Sequence, residues 1–523
     1  MNIFGKKVLS LVALTAITLK GMSANPFLPL WEYIPDGEPY IFEDPDNPGQ
    51  YRVYIYGSHD SLIKEYCGRE QVVWSAPLDD LDNWRYDGII FISDKDADGK
   101  LLRLDGKGDI LYAPDVACRM ENGQMAYYLY PNNQEGGRQS QIARSNRPDG
   151  PFTVFNWSKK NPRTTDGILG FDPAVFVDDD GRVYGYWGFE ESNGAELDPR
   201  TMASVKPGTQ IVRNMVSDYR HDGEFRFFEA SSMRKIKDKY VFIYSRYTSD
   251  GEDGLPASNN TLAYAYSDSP LGPFKYGGTI IDAREPAVNA HSGEAMATAN
   301  PYGNTHGSIL EINGQWWVFY HRQTGTDQFS RQAMVAPVKI EWDKKPVAKG
   351  GQVRITGYDP YAADNEWSAK AANGDHYTGA EVTSEGFQIF GLDPYKFYSA
   401  GYACYINDNN ALQDQRDVWD NSMELAGLKN GAIIGYKYFG FGGLAQDTKG
   451  CKAFEGIKEG DNAFINIFFR HGSDQACKIH VMLDGPYEND TWKGKKLYTF
   501  DVKAEKPGAY SVYSQRLPGV EGL

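Results

Sequence analysis

Apolar and aromatic residues along this chain come in short runs, separated by turn-forming residues. One unit recurs: a charged residue, a short apolar strand, a polar turn, and a second strand ending in tyrosine. It reads "EPYIFEDPDNPGQYRVYIY" from Glu38 to Tyr56, "DVACRMENGQMAYYLY" from Asp115 to Tyr130, and "DPAVFVDDDGRVYGY" from Asp172 to Tyr186. Two more copies, "EASSMRKIKDKYVFIY" and "HGSILEINGQWWVFY", run from Glu229 to Tyr244 and from His306 to Tyr320. The offsets from charged residue to closing tyrosine are 18, 15, 14, 15 and 14, the first lengthened by "EDPDNPG". Asp, Asn and Gly turns between β-prone runs predict a hairpin in every copy.

Segments downstream repeat as well. "IARSNRPDGPF" (142–152) matches "YAYSDSPLGPF" (264–274), and "VWSAPLDDLDNW" (73–84) is a looser copy. Each unit therefore supplies at least three short antiparallel strands, and no long amphipathic helix separates the units. The fold class predicted is all-β: a five-bladed β-propeller over residues 25–345.

That architecture gives the charged residues a meaning. The first strand of each blade lines the propeller axis, so Glu38, Asp115, Asp172, Glu229 and His306 would converge near its mouth. Prolines after Glu38 and Asp172, and before Asp115, fix φ where these strands begin. A lone strand-opening carboxylate is ordinarily a turn former. Four together cost roughly 1 kcal/mol per pair at 4 Å even in water, a cost a fold tolerates where the site has work to do. Convergent carboxylates fit glycoside hydrolysis, in which one acid protonates the leaving oxygen and one base activates water. No GxSxG, phosphate loop or dinucleotide fingerprint competes.

The ordered set "EPYIF", "YAPDV", "FDPAVFVDDDG", "FFEASSMRKI" and "NTHGSILEINGQWWVFYHR" resembles glycoside hydrolase family 43, over roughly residues 33–342. The resemblance implies inverting enzymes, mostly α-L-arabinofuranosidases and β-D-xylosidases acting on arabinan or arabinoxylan. Galactosidase and xylanase-type specificities occur in the same family. It implies Glu229 as proton donor, Asp172 as the residue tuning that donor, and Asp115 at the pocket floor holding sugar hydroxyls. It implies His306 as ligand of a calcium ion on the axis, with Arg322 and Arg331 as substrate contacts. The family's base is an aspartate followed by proline. Here the aligned residue is Glu38, and Asp36 two positions earlier takes the role if the register differs, since residues two apart on a strand face one side. That departure keeps a second reading open, a carbohydrate-binding propeller that has lost catalysis.

Charge and composition narrow the partner. The 523 residues carry a formal net charge of −16, which disfavours nucleic acid and anionic membrane surfaces. The 35 tyrosines, 26 phenylalanines and 11 tryptophans suit a neutral polyhydroxylated partner. Lys6 and Lys7, an apolar run from Val8 to Leu19 and small residues up to Ala24 read as a secretory signal peptide over residues 1–24, placing the protein outside the cytoplasmic membrane. The five cysteines form neither a disulfide framework nor a zinc pattern; buried free thiols and one bridge among Cys404, Cys451 and Cys477 both stay open.

Two local signals carry alternatives. "DKDADGKLLRLD" (94–105) resembles a calcium loop but lacks its final glutamate, and reads better as a hairpin tip. Trp187 suits either a sugar face or the blade core. After residue 345 the blade pattern stops. Residues 346–366 read as a connector. From 367 to the end, alternating runs such as "FINIFFRH" and "KIHVMLDG" predict a β-sandwich resembling family 6 carbohydrate-binding modules.

Overall fold

A computed structural model describes residues 24–520 apart from 63–64, 217–222, 253–254, 285, 289–294, 299, 325–327, 343–350, 359–368, 371–375, 389–390, 407–411, 415–421, 442–456, 484–486, 489–490, 493 and 504–506. The signal-peptide residues 1–23 and most of the connector lie outside this set.

Of six four-stranded sheets among the described residues, five follow one another along the chain as antiparallel blades, and the sixth joins Pro286–Val288 and Ala295–Thr298 to Tyr405–Ile406 and Ile434–Gly435. The first holds Glu38–Glu43 (β1), Tyr51–Tyr56 (β2), Glu70–Pro77 (β3) and Arg85–Ile92 (β4). The second holds Asp115–Glu121 (β5), Gln124–Tyr130 (β6), Ala143–Ser145 (β7) and Thr153–Val154 (β8). The third holds Ala174–Val177 (β9), Val183–Trp187 (β10), Asn193–Leu197 (β11) and Val212–Arg213 (β12). Phe227–Ile236 (β13), Lys239–Arg246 (β14), Thr261–Ser267 (β15) and Lys275–Asp282 (β16) make the fourth. Ser308–Ile312, Gln315–Gln323, Arg331–Trp342 and Val353–Gly357 make the fifth, so its outermost strand falls inside the segment read from sequence as connector.

The Asn-Gly turns do what their chemistry requires. Asn122 and Gly123, and likewise Asn313 and Gly314, have positive φ at both positions (50° and 82°; 53° and 85°). These two-residue loops close β5 on β6 and the fifth blade's first hairpin, with Glu121 facing Gln124 and Ile312 facing Gln315.

Each apolar core fills a seam between neighbouring blades. Tyr54, Val73, Val116 and Leu129 join blades one and two; Tyr130, Ile142, Val175 and Val183 join two and three. Tyr186, Phe227, Phe242 and Tyr244 join three and four; Ile243, Leu262, Val318 and Met334 join four and five. The ring closes where Val53 and Trp74 meet Phe319 and Val335, with Phe27 and Leu28 packed into the same seam. The protein is thus all-β, a five-bladed propeller with further sheets after it. Those later sheets are small. Phe464–Arg470 pairs with Tyr510–Arg516, and Cys477–Leu483 pairs with Lys495–Val502. Ala380, Val382 and Cys404 pack onto the seam of blades four and five. The four described cysteines are free thiols.

Candidate active site

Strand register sorts the axial charges into two tiers. Glu38 opens β1 opposite Tyr56 and Asp115 opens β5 opposite Tyr130. In the third blade the residue opposite Tyr186 is Ala174, and Asp172 lies two residues before it. Asp36 stands in the same relation to Glu38, and His306 to Ser308. Residues two apart face one side, so Asp36, Asp172 and His306 form a mouth tier above an inner tier containing Glu38 and Asp115. Glu229 joins the mouth tier through a β-bulge: it faces Ser245, with register shifts on both sides of it. His306 Nδ1 lies 3.8 Å from Asp36 Oδ1 and 3.9 Å from Asp172 Oδ2, and its Nε2 lies 4.0 Å from Glu38 Oε1.

The backbone here is held in an uncommon conformation. Asp36 (φ 60°), Asn132 (48°), Asp172 (46°) and Ala230 (68°) all occupy the left-handed region, which costs on the order of 1–3 kcal/mol at a non-glycine residue. The yield is direction. The Ala230 N–H donates to Asp172 Oδ2 at 3.0 Å, linking the residue after Glu229 to its neighbour, and Asn132 Nδ2 donates to Asp172 Oδ1 at 2.6 Å.

Asp36 and Glu229 are buried in contrasting surroundings. Burial raises the Asp36 carboxyl, but Arg331, the two histidines and the Ser58 hydroxyl outweigh it and hold it below its ordinary value. Arg331 reaches Asp36 Oδ1 at 3.2 Å, and Ser58 Oγ donates to Oδ2. The Asp36 N–H donates to His321 Nδ1 at 3.2 Å, so His321 carries its proton on Nε2 and gives it to the Asn304 carbonyl at 2.9 Å. Among the described residues Glu229 receives only the Asn304 amide, at 3.3 Å. Burial and the Asp36 charge push it up to about 7, against Asn304 and Arg331. Asp172 is raised well above its ordinary value, by burial, then by Glu229 and Asp36, a shift that by itself would favour the proton on Asp172. Both its oxygens accept N–H donors that gain nothing from a protonated acid, so within this pair the proton belongs on Glu229. His306 is pushed down to about 4 by burial and is a neutral imidazole at pH 7.

The inner tier is bonded more fully. Glu38 Oε2 takes Arg234 Nη2 at 2.8 Å and Ser232 Oγ at 3.1 Å; burial nonetheless lifts the carboxyl to about 7. Asp115 takes the Tyr40 hydroxyl at 2.5 Å, its neighbour's N–H (Val116) at 2.7 Å and the Val175 N–H at 2.6 Å. Arg234 lies over the Tyr40 ring, 4.8 Å from its centre, and gives Nε to the Ile309 carbonyl at 3.1 Å. Together these groups tie all five blades.

Of the residues singled out from sequence, Glu229, Asp172 and His306 are brought together at the mouth, and Arg331 joins them through Asp36. Glu38 and Asp115 lie in the inner tier. Arg322 is directed elsewhere: it donates to the carbonyls of Ala403 (2.7 Å) and Gly401 and to Gln332 Oε1, fastening blade five to the later segment. Ser58, Asp60, Asn132, Asn304 and His321 were not singled out. Four of them follow a hairpin's second strand or end it, in "YGSHD", "YPNN" and "YHR", and that strand returns to the mouth from which the first one left. In the loop 94–105, Asp96 Oδ1 accepts the N–H groups of Asp98 and Lys100, a hairpin tip closed on itself. Trp187 packs against the seam of blades two and three.

A family model for glycosyl hydrolases family 43 matches residues 43–346, more than half of the chain. The chain belongs to that family. A xylosidase/arabinosidase of Thermoclostridium stercorarium is 32% identical over 459 residues, covering 82% of this chain and 84% of the relative. An arabinoxylan arabinofuranohydrolase of Paenibacillus polymyxa is 29% identical over 327 residues, 58% of this chain and 45% of that one. A solved family 43 arabinoxylan arabinofuranohydrolase from Bacillus subtilis aligns over 96% of this chain and 94% of its own, with 21% identity and a TM-score of 0.45. As a family 43 member the protein is a hydrolytic, inverting glycosidase. The matched range begins at residue 43, beyond both Asp36 and Glu38, so membership leaves open which of the two is the base.

Calcium takes six to eight oxygen ligands. Around His306, Asp36 and Asp172 are engaged by N–H and O–H donors, and the buried oxygen without a hydrogen-bond partner is Glu38 Oε1. Among the described residues no group of three or more His, Cys, Asp or Glu could hold a metal ion, so the axis offers no protein-built calcium cage. Among them, too, no helix is long and apolar enough to cross a membrane.

Proposed function

We propose that this family 43 glycosidase is exported and removes terminal arabinofuranosyl or xylosyl residues from arabinan or arabinoxylan, with Glu229 as acid and Asp36 as base. The observation that carries the assignment is the opposed protonation of two buried carboxyls at one mouth. Glu229 is pushed up to about 7, and Asp36 is held below its ordinary value by Arg331. A glycosidic oxygen entering beside Glu229 receives its proton as the bond to the anomeric carbon breaks. Asp36 takes a proton from the water that attacks the opposite face, which inverts the centre. Asp172, fixed by Asn132 and the Ala230 N–H, stands beside Glu229 and shares the pair's proton with it.

Glu38 is assigned as the weaker base because it lies one pleat inward, with Arg234 and Ser232 both on Oε2. Asp115 and Arg322 are assigned to architecture for the same kind of reason. The calcium ion expected at His306 stays outside the reaction: Arg234 and Arg331 already bring positive charge to the axis, and no proton transfer described here passes through an ion. The sugar assignment draws on the relatives, named xylosidase/arabinosidase and arabinoxylan arabinofuranohydrolase. The later sheets, with a sandwich resembling family 6 modules as the reading from sequence, are proposed as a glycan-binding accessory.

Hydrolysis of nitrophenyl arabinofuranoside and xyloside, with NMR of the first-formed sugar, tests the reading. Inverted arabinose or xylose supports it. Retained configuration, or turnover of neither substrate, overturns it.

A further inference from the structure

The leaving group has a direction. The acid protonates the oxygen that departs, so whatever lies beyond that oxygen extends on the Glu229 side, while water arrives from the Asp36 side. On the Glu229 side the structure has an open cleft of ≈ 540 Å³, lined by Arg226, Tyr247, Ser249, Ser258, Asn259 and Tyr302 among others. Its walls are continuous with the acid's own supports. Asn259 is bridged to Asn304, whose amide bonds Glu229, and Tyr302 lies two residues before Asn304. Tyr247 packs on Phe228, the residue before Glu229, with ring centres 4.6 Å apart. From there the aromatic surface continues to Phe189, 5.3 Å from Phe228 and 48% exposed, and to Phe171 beside Asp172.

The chemistry of the cleft selects its occupant. Hydroxyls and an amide offer hydrogen bonds in both directions, and tyrosine faces offer flat apolar surface with a polar edge. The guanidinium of Arg226 makes no anion site, because Ser249 Oγ (2.5 Å) and the Glu252 carboxylate (3.0 Å) already hold it. Glu252 is itself shared with Arg246. A neutral, polyhydroxylated ligand matches this lining, and a phosphate or carboxylate does not. The volume lies within the ~300–1,000 Å³ of pockets that enclose a whole small ligand. Tyr302, 59% exposed at the rim, presents its ring to whatever enters.

We infer that this cleft binds the sugar chain of the leaving group, a neutral oligosaccharide of pyranose units, and that Tyr302 sets the preference for such leaving groups over small aryl ones. The inference rests on the proposed function, since it takes Glu229 as the acid. The experiment compares kcat/KM on an arabinoxylo-oligosaccharide with kcat/KM on nitrophenyl arabinofuranoside, in the wild type, Tyr302→Ala and Tyr302→Phe. The ratio should fall at least ~10-fold in Tyr302→Ala and stay within ~2-fold in Tyr302→Phe, which keeps the ring. Calorimetry with unbranched xylotetraose on the Glu229→Gln protein should give a Kd that weakens by a similar factor when Tyr302→Ala is added. An unchanged ratio together with an unchanged Kd overturns the cleft assignment and leaves the glycosidase reading standing. A wild type that cleaves neither glycoside overturns the proposed function itself, whereas xylotetraose binding that still depends on Tyr302 would then support the cleft alone.

Discussion

The mouth tier and the inner tier carry the same kinds of side chain and put them to opposite uses. In the first blade the contrast is two residues wide. Asp36 accepts from Arg331 and Ser58, one donor to each oxygen; Glu38 takes Arg234 and Ser232 on a single oxygen. Asp115, in the same tier as Glu38, accepts three donors and joins three blades. Glu229, among the described residues, has one long bond, to Asn304. A carboxylate near an axis becomes architecture when, as at Asp115, donors from neighbouring blades fill both its oxygens and no described arginine pairs with it. It stays available for proton transfer when one group sets its protonation and little else holds it.

The largest effects should come from the mouth. Glu229→Gln removes the transferable proton, and kcat on a natural glycoside should fall ~10²–10⁴-fold. Asp36→Asn should cost a similar factor, with azide restoring part of the rate as an external nucleophile. The pH profile of the wild type sharpens this. Glu229 must be protonated, so activity should be lost as pH rises through about 7. Asp36 must be ionised and its carboxyl is held low, so the acid limb should lie below the ordinary aspartate value of 3.8. Near-full activity in Asp36→Asn would break the comparison at its centre.

Glu38→Gln is the matching inner-tier change. It leaves Arg234 buried without its counter-charge, which costs about 3 kcal/mol where such a pair is broken. The melting temperature should therefore fall by several degrees, while kcat in the folded fraction stays within ~10-fold of wild type, far from the factors a missing base would give. A loss equal to that of Asp36→Asn, with azide rescue and an unmoved melting temperature, would return the base to Glu38.

How far all this was legible beforehand follows from the same two-residue step. The five-fold repeat, its hairpins and the all-β class stand in the pattern of apolar runs and Asn-Gly turns, because those are local signals. Which carboxylate stands at the mouth does not, since the repeat and the following proline align Glu38, not Asp36, with Asp172. The answer depends on Ala174, not Asp172, facing Tyr186. The bulge around Glu229 hides the register further. Arg322 illustrates the other limit: its partners, the carbonyls of Gly401 and Ala403, lie some eighty residues away, and no local pattern announces them. The fourth strand of blade five, Val353–Gly357, was missed because a lysine-, proline- and glycine-bearing stretch precedes it.

Asp172→Asn tests how the tiers communicate and should have a middling effect. It removes the negative charge that Glu229 shares its proton with, and an amide can satisfy only one of the two N–H donors from Asn132 and Ala230. The basic limb of the pH profile should move below its wild-type position near 7, because the acid then loses its proton more readily. At pH 6 the rate should drop on the order of 10–10²-fold, a general-acid-sized loss only in part. A limb that stays in place would leave Asp172 with substrate contact as its role and Glu229 tuned by burial and Asp36 alone.

The smallest effect should be that of chelation. The axis carries Arg234 on Glu38 and Arg331 on Asp36 and Asp60, so three of its carboxylates are paired with side chains of the fold. His306, a neutral imidazole, adds no charge that would need balancing. A cation there would find Glu38 Oε1 as a buried partnerless oxygen among the described residues, against the six to eight that calcium prefers. Dialysis against a chelator should therefore shift the melting temperature by less than ~2 °C, which for a chain of this size corresponds to roughly 2 kcal/mol or less. Neither limb of the pH profile should move. Removing Arg234 as well should change that: Arg234→Met strips the compensating charge, and added calcium should then recover part of the lost melting temperature. A wild type that loses many degrees on chelation and regains them with calcium would show that the two guanidiniums do not suffice, and would make His306 a ligand after all.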